Sequence, residues 1–307
     1  MHPLEADALH KSYGGKAVLT DFSLSCSAGS ITAVVGPNGS GKTTALTLMS
    51  GVARGSGQTL FYGKPLAAHP FPASVLGVML GPKAFHPGRT ARNHLRMLAR
   101  GAGIPLGDVD RALDDVGLSH VRDAAPRSFS LGMAQRLSLA SAILTRPRIL
   151  FLDEPLNGLD IYSTEWLVGY LKTLAQDGVA VVVTSHILEN LDGTIDRLVV
   201  LADGQTIAAD SVDRLRQRFV DKEVVVRCDS VTRLTHELTR RSVAWRPADD
   251  GRVAVLGLDA REVWQVTADL GLVVLEIVEA RPTLSSVLLQ VLRREHPEGS
   301  VSIGGTL

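Results

Sequence analysis

The stretch Gly36-Pro37-Asn38-Gly39-Ser40-Gly41-Lys42-Thr43, followed directly by Thr44, decides how this sequence is read. It has the spacing G-x-x-x-x-G-K-[ST], follows the β-branched apolar run SITAVVG (30–36) and opens a helical pattern over 42–49. Glycines at this spacing let backbone N–H groups turn inward around phosphate oxygens, and the dipole of the following helix adds partial positive charge at the same place. Lys42 is positioned to reach terminal phosphates and the Thr43 hydroxyl to ligate Mg²⁺. A glycine-rich turn that only caps a helix is the plainer reading, and strand, loop and helix all in register speak against it.

Two further apolar runs, RILFLDEP (148–155) and VAVVVTSH (179–186), read as buried strands. Helical patterns lie between and after them, including 134–144 and 164–176, so the sequence predicts an α/β unit with a parallel sheet. Ligands of such sheets sit beyond the carboxyl ends of the strands. RILFLDEP ends there in two carboxylates. Asp153 is the candidate to hold Mg²⁺ through its water shell, and Glu154 to polarise a water attacking a γ-phosphate. The competing role for the pair is capping the next helix or pairing with nearby arginines.

Composition narrows the partners. Lys plus Arg number 32 and Asp plus Glu number 32 in 307 residues, so net charge points to no polyanion and no nucleic acid is expected. Cys26 and Cys228 fit neither a disulfide framework nor a metal spacing, which makes a reducing, cytosolic compartment the default. The N-terminus carries Glu5, Asp7 and Lys11 where a signal peptide would need an apolar run, and no apolar run approaches the roughly 20 residues of a membrane span.

The chain is expected to hold two domains. Residues 1–215 read as a P-loop NTPase core with a helical subdomain inserted at about 86–145. Residues 216–307 read as a C-terminal α+β domain in the ferredoxin-like order β-α-β-β-α-β, closed by a helix over 283–295. Within the helical insert, SFSLGMAQRL (128–137) is a helix start, with Ser130 as its candidate cap.

Together these motifs resemble the ATP-binding subunits of ABC transporters over residues 1 to roughly 215. The resemblance implies ATP and Mg²⁺ as cofactors, ATP hydrolysis as the activity, and Gly36 through Thr44 as the phosphate loop. It places an adenine-stacking ring at Tyr13, in KSYGG before the first sheet. It makes SFSLG the signature sequence, with Leu131 and Met133 departing from the commoner Ser-Gly-Gly-Gln. Ser130 and Gly132 would then contact the γ-phosphate of ATP bound to a partner subunit, and unsatisfied N–H groups at a helix start suit that task. Asp160 falls in the D-loop, NGLD (157–160), which crosses the dimer interface. His186 matches the switch histidine that contacts the γ-phosphate and positions the water; a histidine at a strand end is otherwise structural.

One position departs from the family. Where its members carry a glutamine that contacts Mg²⁺ and relays nucleotide state to the membrane subunit, VLGVMLGPKAFHPG (75–88) places Gly81. Either a neighbour such as Lys83 or His86 rebuilds the relay, or Mg²⁺ coordination is looser. Arg89, Arg92, Arg96 and Arg100 recur at helical spacing, as a solvated face or as a contact for a membrane subunit or acidic lipid.

The resemblance implies an energy-coupling subunit, acting as a dimer that sandwiches two ATP molecules, on the cytoplasmic face of the membrane beside a separate permease. The style of the sequence is that of bacterial drug and antibiotic exporters. A soluble ABC ATPase acting on nucleic acid or ribosomes is the alternative, and it is disfavoured by the single ATPase unit, the lack of heptads and the zero net charge. A stand-alone P-loop kinase or GTPase would leave SFSLG and the D-loop without a role. For the tail domain, packing within a dimer or linker competes with ligand sensing.

Overall fold

The computed structural model describes residues 2–81, 85, 86, 88–220, 222–280 and 282–295. In chain order its elements begin β1 (Leu4–Tyr13), β2 (Lys16–Cys26), β3 (Ile31–Val35), α1 (Lys42–Met49), β4 (Ser56–Phe61) and β5 (Leu76–Met79). The helices α2 (Ala91–Gly101), α3 (Gly107–Asp115) and α4 (Leu131–Ile143) follow, then β6 (Ile149–Leu152), α5 (Ile161–Gln176), β7 (Ala180–Ser185), β8 (Arg197–Ala202), β9 (Gln205–Ser211) and α6 (Val212–Phe219). The remainder comprises β10 (Glu223–Cys228), α7 (Val231–Arg240), β11 (Trp245–Pro247), β12 (Val253–Leu256), α8 (Ala260–Asp269), β13 (Val274–Glu279) and α9 (Leu284–Glu295). The chain divides into two compact units, 213–290 and the rest.

In the first unit, six strands run in the order β5-β6-β7-β3-β8-β9, parallel except for β9. Every residue of β3, β6 and β7 is buried, which is why these strands read as uninterrupted apolar runs. Val34 of β3 faces Thr184 of β7, and Val183 of β7 faces Leu152 of β6. That register brings the ends of all three strands to one carboxyl edge.

A second sheet, β2-β1-β4, is antiparallel. The sequence reading did not separate it, because β1 alternates buried Leu4 and Ala6 with exposed Glu5 and Asp7 and so looks like a polar segment. Phe22, Phe61, Met49 and Phe151 are fully buried in the core shared by both sheets. Each such side chain contributes roughly 1.5–3 kcal/mol on leaving water.

The helical insert is α2, α3 and α4. Thr90 caps α2 by accepting a hydrogen bond from the Asn93 N–H. The arginine series is not one solvated face. Arg92 is half-buried and turns onto Asp110 at 2.7 Å and Asp123 at 3.5 Å, Arg96 keeps a buried Nε without a partner among the described residues, and Arg100 is exposed. His94 is buried between these turns, its Nε2 3.2 Å from Ser141 Oγ of α4. Burial, followed by the nearby Arg89 charge, lowers its pKa below the ordinary 6.5.

The second unit has the chain order β10-α7-β11-β12-α8-β13 and the sheet order β11-β12-β10-β13, antiparallel throughout. This is the split β-α-β arrangement. Val224, Val226, Leu234, Leu238, Val255, Val263 and Val266 form its core. A reciprocal capping box between Asp259 and Glu262 starts α8.

Candidate functional site

The phosphate loop bends where only glycine fits. Gly36 leaves β3 with φ +154°, and a Cβ there would collide with the Leu201 carbonyl of β8. Gly41 caps α1 at φ +103°, and a Cβ there would lie 2.8 Å from the Val18 carbonyl. Pro37, Asn38 and Gly39 form the outer rim of the loop, with Asn38 and Gly39 exposed. Ser40 is buried, and among the described residues its hydroxyl has no partner.

Lys42, buried in the first turn of α1, donates to the Gly36 carbonyl at 2.9 Å and the Pro37 carbonyl at 3.2 Å. Its Nζ also stands 3.5 Å from the Glu154 carboxylate. Thr43 donates to Asp153 at 2.9 Å, joining α1 to the end of β6, while Thr44 beside it is half-buried. His186, just past β7, completes the group with Nδ1 2.7 Å from Glu154 Oε2. Thus the structure brings Lys42, Thr43, Asp153, Glu154 and His186 into one contiguous network. Neither acid caps a helix: one carboxylate meets threonine hydroxyls and the other meets a lysine and a histidine.

One member of the network was missed in the sequence. Thr184, fully buried on β7, donates to Asp153 Oδ1 at 2.6 Å and accepts the Glu154 backbone N–H at 2.8 Å. The available signal was a polar residue at the end of the apolar run VVV.

Ser130, Gly132 and Asp160 lie elsewhere. Ser130 is exposed and caps α4, its hydroxyl accepting the Met133 N–H at 3.2 Å. Gly132 is buried, and a Cβ on it would sit 2.7 Å from Ser163 Oγ of α5. The absence of a side chain there therefore has a reason within the chain itself. Asp160 caps α5, taking the Ser163 N–H at 2.8 Å, and this hydrogen bond is the main cause of its lowered pKa. Among the described residues no hydrogen bond or ion pair joins these three to the phosphate loop. Around them large apolar side chains face outward: Ile161 is 75% and Tyr162 84% exposed, with Leu131 beside the signature serine also exposed.

Tyr13 ends β1 rather than preceding the sheet, and its ring is exposed with Lys11 Nζ 4.7 Å from its centre. Gly81 lies just beyond β5 with φ +132° and open space around its Cβ position. Of the two neighbours considered for the relay, His86 accepts the Gly88 N–H within its own loop, and Lys83 lies outside the described residues.

Comparison with known proteins bears on the family of the chain. Residues 19–157 match the ABC transporter family. A bacitracin transport ATP-binding protein of Enterococcus faecalis is 30% identical over 70% of this chain and 71% of its own length. A daunorubicin resistance ATP-binding protein of Streptomyces coeruleorubidus is 29% identical over 94% of this chain and 95% of its own. Among solved structures, an ATP-binding subunit of an ABC transporter superposes with TM-score 0.64 at 26% identity, over 70% of this chain and 92% of its own. No helix among the described residues is long and apolar enough to cross a membrane. The chain belongs to the ABC transporter ATP-binding family, as a subunit that binds ATP and whose ATPase activity is coupled to transport.

Proposed function

We propose that the chain is the energy-coupling subunit of an exporter that moves a drug, antibiotic or lipid-like molecule through a separate membrane permease, to which it docks on the cytoplasmic face. The names of the relatives, bacitracin transport and daunorubicin resistance among them, support the export reading and the substrate class. In this reading residues 1–215 are the ATPase domain and 216–307 an accessory domain.

The observation that carries the catalytic assignment is the network from Lys42 and Thr43 through Asp153 and Glu154 to His186. Gly36, Asn38, Gly39, Ser40 and Gly41 offer backbone N–H groups to the phosphates, Pro37, which has none, shapes the rim of the loop, and the Ser40 hydroxyl, without a partner among the described residues, suits a phosphate oxygen. Tyr13 offers an exposed ring to adenine. Thr43 and Asp153 present hard oxygen donors side by side, which suits Mg²⁺, an ion that keeps several waters and needs few protein ligands. Bound there, Mg²⁺ would neutralise charge on the phosphates. Glu154 orients and polarises the attacking water, Lys42 holds the terminal phosphate, and His186 steadies both Glu154 and the γ-phosphate. Water oxygen bonds to the γ-phosphorus as the bond to the bridging oxygen breaks, leaving ADP and phosphate.

Ser130 and Gly132, which among the described residues make no hydrogen bond to their own phosphate loop, complete the site of a second copy, with Asp160 at the interface. ATP then acts as a ligand of the closed dimer. Hydrolysis persists despite Gly81, because the groups that carry it are all present.

The test is a Glu154→Gln chain run on gel filtration with Mg²⁺-ATP and with ADP. A doubled mass with ATP only is the expected result. A monomer at saturating ATP overturns the sandwich, and wild-type chain that binds ATP but never hydrolyses it, even beside its permease, overturns the catalytic assignment.

A further inference from the structure

Thr184 does more than fill the sheet. It is 0% exposed, its Oγ1 donates to Asp153 Oδ1 at 2.6 Å, and the same oxygen accepts the Glu154 N–H at 2.8 Å. Glu154 needs such a hold, because its backbone sits at φ +45°, a conformation unfavourable for a residue with a Cβ. In that conformation its carboxylate faces Lys42 and His186. A β-branched side chain on a buried strand has little rotamer freedom, so the hydroxyl is fixed relative to both acids.

We infer that Thr184 is a positioning residue for the hydrolytic pair: its one hydroxyl orients the Asp153 carboxylate and pins the left-handed Glu154 backbone, thereby aiming the Glu154 carboxylate. The inference rests on the assignment of Asp153 and Glu154 given above. Thr184 itself is fully buried and acts through the two acids it bonds. Its loss therefore lowers turnover rather than ATP affinity.

The experiment compares wild type, Thr184→Val, Thr184→Ser and Glu154→Gln in the full chain co-expressed with its permease, reading kcat, KM for ATP and amide hydrogen exchange at Glu154. Valine keeps the shape and removes the hydroxyl, taking away the acceptor of the half-buried Glu154 N–H. About 10- to 100-fold lower kcat is expected, with KM within about threefold, and Thr184→Ser should recover most of the rate. Exchange of the Glu154 amide should rise at least tenfold in Thr184→Val, while β6 and β7 amides stay protected. If valine does not fold, Thr184→Cys takes its place, a thiol being a poor hydrogen bonder at the same position. Full activity in the valine or cysteine chain, or unchanged Glu154 exchange, overturns the proposal. An active Glu154→Gln chain overturns instead the assignment on which it rests.

Discussion

The two ends of the ATPase unit are built on opposite plans. At the phosphate-loop end, polar side chains meet one another: Thr43 with Asp153, Lys42 with Glu154, Glu154 with His186. At the signature end, Ser130 caps α4 and Asp160 caps α5, and Ile161 and Tyr162 that follow Asp160 are exposed. The first end has the groups for chemistry in place within one chain. The second has the form of a surface completed by something outside it. In the proposed sandwich, a second copy supplies that completion.

Glu154→Gln should break the first end most severely. Loss of the group that polarises water is expected to cut ATPase turnover about 10²- to 10⁴-fold while equilibrium dialysis shows ATP binding retained. A smaller loss would mean that the base lies elsewhere.

Gly132→Ala tests the second end. Its added methyl must displace Ser163 Oγ, and about tenfold lower ATPase is expected from obstruction of a γ-phosphate on the second copy. The double variant with Ser163→Ala separates the two reasons for a glycine. Full rescue would show that only packing inside the chain requires it, whereas persistent loss places a ligand against it.

Ser130→Ala should be milder in stability. Loss of a helix cap costs about 1 kcal/mol, read as a few degrees in the melting temperature. ATPase falling well beyond that would show that the hydroxyl serves a phosphate as well as its own helix.

The smallest effect concerns His94, which braces α2 against the signature helix through Ser141. Its folded pKa is below 6.5, so as pH falls the unfolded chain takes up the proton first. The stability associated with the neutral ring is present above pH 6.5 and is lost as pH drops from there towards the folded value. Thermal melts should show this slope in wild type and a flatter one in His94→Gln.

Much of the phosphate-loop end was legible because its pattern is local. A tight turn, a lysine and a hydroxyl must follow one strand at fixed spacing, and continuous apolar runs announced β3, β6 and β7. The antiparallel sheet β2-β1-β4 was not legible, because its burial alternates and β4 pairs with β1 from far along the chain. Nor was the fate of the arginines: helical spacing identified a face of α2, but only packing against α3 turned Arg92 onto Asp110.

By itself the sequence determined the phosphate loop, the acidic strand end and the family, since each is written in contiguous residues whose spacing is set by backbone geometry. Only the tertiary structure decided that Thr184 grips both acids and that Ser163 excludes a side chain at Gly132. Those contacts join elements distant along the chain. Their partners are chosen by strand register and helix packing, which no single stretch of sequence encodes.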